Sequence, residues 1–118
     1  MIDYASQTDE ELNEVAAARC GWTDENLVPL QWIKDHGEVD HLTPDYLRSL
    51  DACFSDYVPI LRRRNYQIDL SFYFDDGTGL HKWIWTCDIA DGDYSAYDPK
   101  PARAFTIAFL MATDDGGE

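Results

Sequence analysis

Positive charge is scarce in this chain. Nine Lys and Arg residues stand against 23 Asp and Glu, and 9 − 23 gives a formal net charge of −14 over 118 residues. Phosphates would repel such a body at any distance inside the Debye length, which comes close to excluding binding to a bare nucleic-acid backbone. Docking on an anionic membrane is disfavoured on the same ground. No apolar run approaches the ~20 residues that a spanning helix needs. The opening Met1-Ile2-Asp3-Tyr4 has neither a basic region nor a hydrophobic stretch, so no signal peptide is expected. Cysteine is sparse too. Cys20, Cys53 and Cys87 are odd in number and widely spaced, which suits reduced, buried thiols and a cytoplasmic protein better than a disulfide framework. Arg19 precedes Cys20, but that thiol falls at a helix C-terminus, where the dipole opposes a thiolate. Gly-x-Gly-x-x-Gly, P-loop and Gly-x-Ser-x-Gly elements are all missing. The expectation is a protein with no catalytic residues, no metal and no cofactor.

What is present is core-forming material. Hydrophobic residues make up 45% and aromatics 14%, which argues against wholesale disorder. A chain of this length forms one domain, 1–118, and hides roughly two thirds of its unfolded surface. Charge is uneven along it. Residues 1–45 hold 11 acids and 2 bases, residues 46–73 hold 3 acids and 4 bases, and residues 74–118 hold 9 acids and 3 bases. Three of the middle bases are Arg62, Arg63 and Arg64, which suit the C-terminal dipole of a helix. The end, 114–118, reads as a flexible acidic tail.

The elements follow from caps and periodicity. Thr8 and Glu11 make a capping box ahead of Leu12, Val15, Ala16 and Cys20, and Gly21 stops that helix. Trp22 then folds back on the core. Residues 23–42 read as a short strand or an irregular arm, with Pro29 arguing against a central strand. Thr43 and Pro44 open a long helix over 44–61, with a stripe of Leu47, Leu50, Phe54, Val58 and Leu61 resting on the next strand, and Pro59 kinking or shortening its end. Residues 66–74 alternate, with Ile68, Leu70, Phe72 and Phe74 on one face. The turn Asp75-Asp76-Gly77-Thr78-Gly79 leads to a second strand over 80–87. A second turn and a short strand over 94–97 come next. Asp98, Pro99 and Pro101 start a last helix, apolar on more than one side, that ends near Ala112. The expected fold is α+β: a three-stranded or slightly larger antiparallel sheet flanked by two to three helices, a layered α/β/α sandwich.

This order resembles the phage ABA sandwich domain family. The matching features are Thr8-Asp9-Glu10-Glu11-Leu12-Asn13-Glu14 running into Cys20-Gly21-Trp22, the Thr43-Pro44-Asp45 helix start, the Arg64-Asn65-Tyr66 junction, and the closing helix from Ala102 to Leu110. The resemblance covers nearly all of residues 8–112. It implies a small phage or prophage protein working in the host cytoplasm, and it implies no activity. Pro59, Trp83 and Trp85 depart from the pattern.

Three clusters invite a functional reading. His36, Glu38, Asp40 and His41 offer metal-type ligands, but lack helical His spacing, and a solvated loop is the simpler reading. Asp91, Asp93 and Ser95 mimic the start of a calcium loop, yet Ala96 and Ala102 stand where its glycine and glutamate belong. Trp83 and Trp85, with Tyr73 and Tyr94, form either core under a helix, the commoner arrangement, or an exposed platform.

The acidity itself is the remaining signal. Duplex DNA presents one charge per ~1.7 Å of axis, and a domain about 40 Å long with this net charge comes within a factor of two. Such a surface competes for the basic groove of a nuclease, a restriction enzyme, a CRISPR effector or a transcription regulator. The function expected is binding and inhibition of a host nucleic-acid-binding or defence protein by charge mimicry. The candidate partner-binding residues are Asp9, Glu10, Glu14, Asp24, Glu25, Asp35, Glu38, Asp40, Asp75 and Asp76. The partner is a basic protein surface, and the chain itself is a monomer or a homodimer. Two alternatives stand beside this: a phage structural or accessory protein whose acidity serves solubility alone, and a metal-dependent enzyme built on the 36–41 cluster.

Overall fold

Thr8 starts the first helix as its capping box predicts. Its hydroxyl accepts from the Glu11 N–H at 3.2 Å, and its own N–H donates to the Glu11 carboxylate at 3.0 Å. The structure, a computed structural model, describes residues 3–22, 28–37, 43–75 and 82–114. Helix α1 runs Asp9–Arg19. Gly21 ends it at φ +92°, the left-handed region that a side chain would strain. The Trp22 N–H then reaches back to Ala17 O and the Gly21 N–H to Ala18 O, the paired bonds of a Schellman stop. That stop folds Trp22 against the core, as its position suggests.

The stretch read as a strand or irregular arm contains a short helix, α2, at Leu30–His36. Pro29 sits just before its first turn, where a missing N–H costs little. The long helix begins later than expected. Helix α3 spans Leu50–Arg63, and Ser49 caps it by accepting from the Ala52 N–H at 3.1 Å. The Thr43 hydroxyl is taken instead by the Val28 N–H at 3.1 Å. Asn13 pins the segment between. Its amide donates to Pro44 O at 3.1 Å, and its carbonyl accepts from the Tyr46 N–H at 2.8 Å. Tyr46 and Leu47 are thereby buried ahead of the helix rather than on it. Pro59 does not end α3, which continues to Arg63 with the proline on its exposed side.

Strands β1 (Ile68–Asp75), β2 (Lys82–Ile89) and β3 (Tyr94–Asp98) form the antiparallel meander β1-β2-β3. The register is uninterrupted from Ile68 opposite Ile89 to Asp75 opposite Lys82. Helix α4, Pro101–Ala112, packs on β2 and β3, and α1 and α3 pack on α4. The fold is the expected α+β sandwich of a three-stranded antiparallel sheet and helices. Helix α4 is buried almost all round, from Ala104 through Leu110, because it has the sheet on one side and helices on the other.

Helix α3 packs chiefly on α4. Its buried face is Cys53, Tyr57 and Leu61, with Leu50 and Val58 partly covered. Phe54, placed in the core by the expected stripe, is 46% exposed and touches Phe105 only edge-on at 5.4 Å. Arg103 closes the N-terminal end. Its guanidinium pairs with Asp9 at 2.7 Å and Asp98 at 2.9 Å, and donates to Ala5 O and Gln7 O at 3.1 Å each.

Candidate protein-binding surface

Period-two alternation puts Ile68, Leu70, Phe72 and Phe74 of β1 on one face with Trp83, Trp85, Cys87 and Ile89 of β2. The cover over this face is shorter than the face. Strand β3 reaches only to Asp98, opposite Trp85, and the chain turns there into α4. Under α4, Cys87, Ile89 and Ala96 are buried. Beyond it, Phe72 is 51% exposed, Phe74 45% and Trp83 57%. Trp83 therefore departs from the expected core role, while Trp85 is half-buried at the boundary and packs against the core.

The exposed rings pack on one another. Phe72 stacks on Trp83 at 5.1 Å and 21°, and lies 4.8 Å from Trp85. Phe74 meets Trp83 edge-on at 5.7 Å. Contiguous large aromatics outside the core are uncommon in a monomer and mark contact surfaces. Tyr97, 59% exposed, lies on the opposite face, opposite Thr86 in the register.

Among the described residues, the candidate acids sit on separate elements. Glu10 and Glu14 are exposed on α1, and Asp35 is exposed on α2, where it accepts from Gln31 Nε2 at 3.0 Å. Asp9 is ion-paired with Arg103, a cation it shares with Asp98. Asp75 closes β1. Asp24, Glu25, Glu38, Asp40 and Asp76 lie outside the described residues. The fold adds an acidic pair that local pattern does not reveal. Asp69 and Asp88 stand directly opposite in the β1–β2 register. The Ser71 hydroxyl donates to Asp69 at 3.0 Å, and the Ser95 hydroxyl to Asp88 at 2.5 Å. Like charges directly opposite weaken a sheet. Only the hairpin register, counted from both turns, could have found this pair.

Comparisons with family models, curated proteins and solved structures return no match.

The other clusters are described only in part. His36 stacks on Trp32 at 4.3 Å, and one ring nitrogen lies 3.0 Å from Trp32 O. Glu38 to His41 fall outside the described residues. Among the described residues, no three His, Cys, Asp or Glu side chains converge as a metal site would require. The Asp91-Gly92 turn closes β2 onto β3, and Ser95 also donates to Gly92 O. An open groove of about 470 Å³ lies between the end of α1 and α3, bordered by Cys20, Trp22, Asp56 and Arg63. Beside it, Tyr46 Oη accepts from the Trp22 indole N–H at 2.7 Å and donates to Asp56. Burial pushes the Cys20 thiol up to about 12, so the protonated form dominates at neutral pH. Cys53 and Cys87 are pushed up to about 12 for the same reason.

Proposed function

We propose that this chain is a protein-binding module that takes the basic surface of a partner, with Phe72, Phe74 and Trp83 as the apolar anchor. The observation that carries the reading is the stacked aromatic cluster left uncovered on a body of net charge −14. Acidic surface steers a basic partner in and makes capture salt-dependent, while desolvated aromatics hold it. The 45 Å long axis with 14 net charges gives one charge per roughly 3.2 Å, within a factor of two of duplex DNA. The partner class that fits this charge density is a protein with a nucleic-acid groove, and the phage origin that the resemblance implies would make it a host nuclease or other defence protein. Inhibition follows by occupying that groove.

The test is displacement of labelled duplex DNA from a panel of purified nucleases and repressors. The expected result is competition with at least one of them, weakening as salt rises. Reversing Glu10, Glu14, Asp35 and Asp69 to lysine should weaken capture and flatten its salt dependence. Phe72→Ser with Trp83→Ser should weaken capture and leave the salt slope in place. Equal binding by the charge-reversed protein at ~0.1 M salt, where the Debye length is about 10 Å, rejects charge mimicry.

A further inference from the structure

We infer that the outer edge of β1 receives an extended segment of the basic partner as a fourth strand. This deepens the reading above and rests on it. Among the described residues, β1 pairs with β2 alone, so one edge of eight consecutive residues has no strand partner. That edge contains no proline, no lysine and no break in register, which are common natural guards against strand addition, and its charges are the acids Asp69 and Asp75, which discourage an acidic guest rather than a basic one.

The direction of its backbone groups is set by one hydrogen bond. Gln67 O accepts from the Ala90 N–H at 3.0 Å and so points toward the β2 side. Backbone groups alternate along a strand. The N–H and C=O of Ile68, Leu70, Phe72 and Phe74 therefore point away from β2, to the open edge. The same residues carry the apolar face, two of them as half-exposed rings. An incoming strand thus meets its hydrogen-bond partners and its side-chain platform in one register. Neighbouring strands lie about 4.8 Å apart, so alternate side chains of the guest fall beside Leu70, Phe72 and Phe74.

Charge selects the guest. The opposite face of the hairpin carries Asp69 and Asp88, both with carboxylates at the surface or half-buried. A guest alternating apolar and basic residues places its apolar set on the aromatic side and its cations on the aspartate side. A second copy of this chain is the wrong occupant, because it brings another body of net −14 and another Asp69–Asp88 pair to the same face.

The experiment titrates the full ¹⁵N-labelled chain with a nine-residue peptide alternating lysine with valine or phenylalanine. Amide exchange is read residue by residue. In the free chain, the Leu70, Phe72 and Phe74 amides should exchange quickly, and the Asp69 and Ser71 amides, turned toward β2, slowly. Peptide should slow the first set at least tenfold and leave the second unchanged. N-methylation of the peptide at every second residue should abolish binding in one phase and spare it in the other. Slow exchange of the first set in the free chain at low concentration would mean the edge is covered, and overturns the inference. Protection that grows with protein concentration, with dimers in sedimentation, names a second copy as occupant and overturns it too. Peptide bound with those amides unprotected also overturns it. If a DNA-binding protein is still captured while the peptide fails, strand addition falls and the acidic-surface reading survives. If neither binds, both fall.

Discussion

Tyr57 and Phe109 stack face to face, with ring centroids 4.0 Å apart and planes 5° from parallel. Tyr57 is fully buried, and its hydroxyl lies 2.9 Å from Thr106 Oγ1, so one side chain fixes both the rotation of α3 and its contact with α4. We predict that Tyr57→Ala costs ~3–5 kcal/mol, the range for emptying a large aromatic site. Phe54→Ala should cost less than about 2 kcal/mol, because nearly half of that ring is already in water. Urea denaturation of the two variants gives the comparison. A larger loss at Phe54 would reverse the assigned face of α3.

The start of α3 has its own signature. Ser49→Ala removes the cap that accepts the Ala52 N–H and should cost ~1 kcal/mol. Pro44→Ala should cost less than this, since Pro44 is not the first residue of the helix. Thermal melts of both variants check this. Equal losses would place the helix start back at 44.

Arg103 is expected to be a sensitive residue. Its side chain is only 15% exposed and holds Asp98, equally covered, together with Asp9. Arg103→Met should cost ~3 kcal/mol, because Asp98 is left half-enclosed without its cation. Replacing Asp98 with Asn in the same protein should recover part of that loss. A double-mutant cycle measures the recovery, and strict additivity would show that the pair does not interact.

The thiols predict alkaline behaviour. Cys20, Cys53 and Cys87 are pushed up to about 12 by burial, above the usual thiol range. A thiol whose folded value is raised stays protonated in the native state while the unfolded chain loses its proton. Between about pH 9 and 12 the native state holds more protons, so stability falls as pH rises. Below that window these groups contribute no slope. Tyr57, raised well above its ordinary value by burial, adds in the same direction. Stability measured at intervals from pH 7 to 11 should be level at first and then decline. A thiol reagent at pH 8 should react slowly with the native protein and rapidly with all three thiols in urea. Prompt reaction of Cys53 in the native state would contradict its burial.

Much of the fold was legible in local pattern. The capping box at Thr8 and Glu11, the stop at Gly21, the alternation from Ile68 to Phe74 and the all-round apolarity of α4 each act within a few residues, so they are written in the chain itself. The start and face of α3 were not. Thr43 and Pro44 make as good a local helix start as Ser49, and the contest was decided by Val28 and Asn13, far away in sequence. Tyr46 and Tyr57 went unread for a related reason, since their burial needs partners on other elements.

The candidate surface divides in the same way. Composition by itself determined the sign of the chain's own charge, because net charge is a sum over residues and needs no geometry. Alternation by itself determined that Phe72 shares a face with Phe74, and Trp83 with Trp85, because side chains on a strand repeat every two residues. The hairpin register, Phe72 opposite Trp85 and Phe74 opposite Trp83, joined the two pairs on one face. Whether that face is core or surface was decided only by the tertiary structure. Strand β3 ends opposite Trp85 and α4 departs from there, so the apolar face outruns its cover and three rings are left in water. The length of a cover depends on another segment's path, which no periodicity within β1 or β2 encodes.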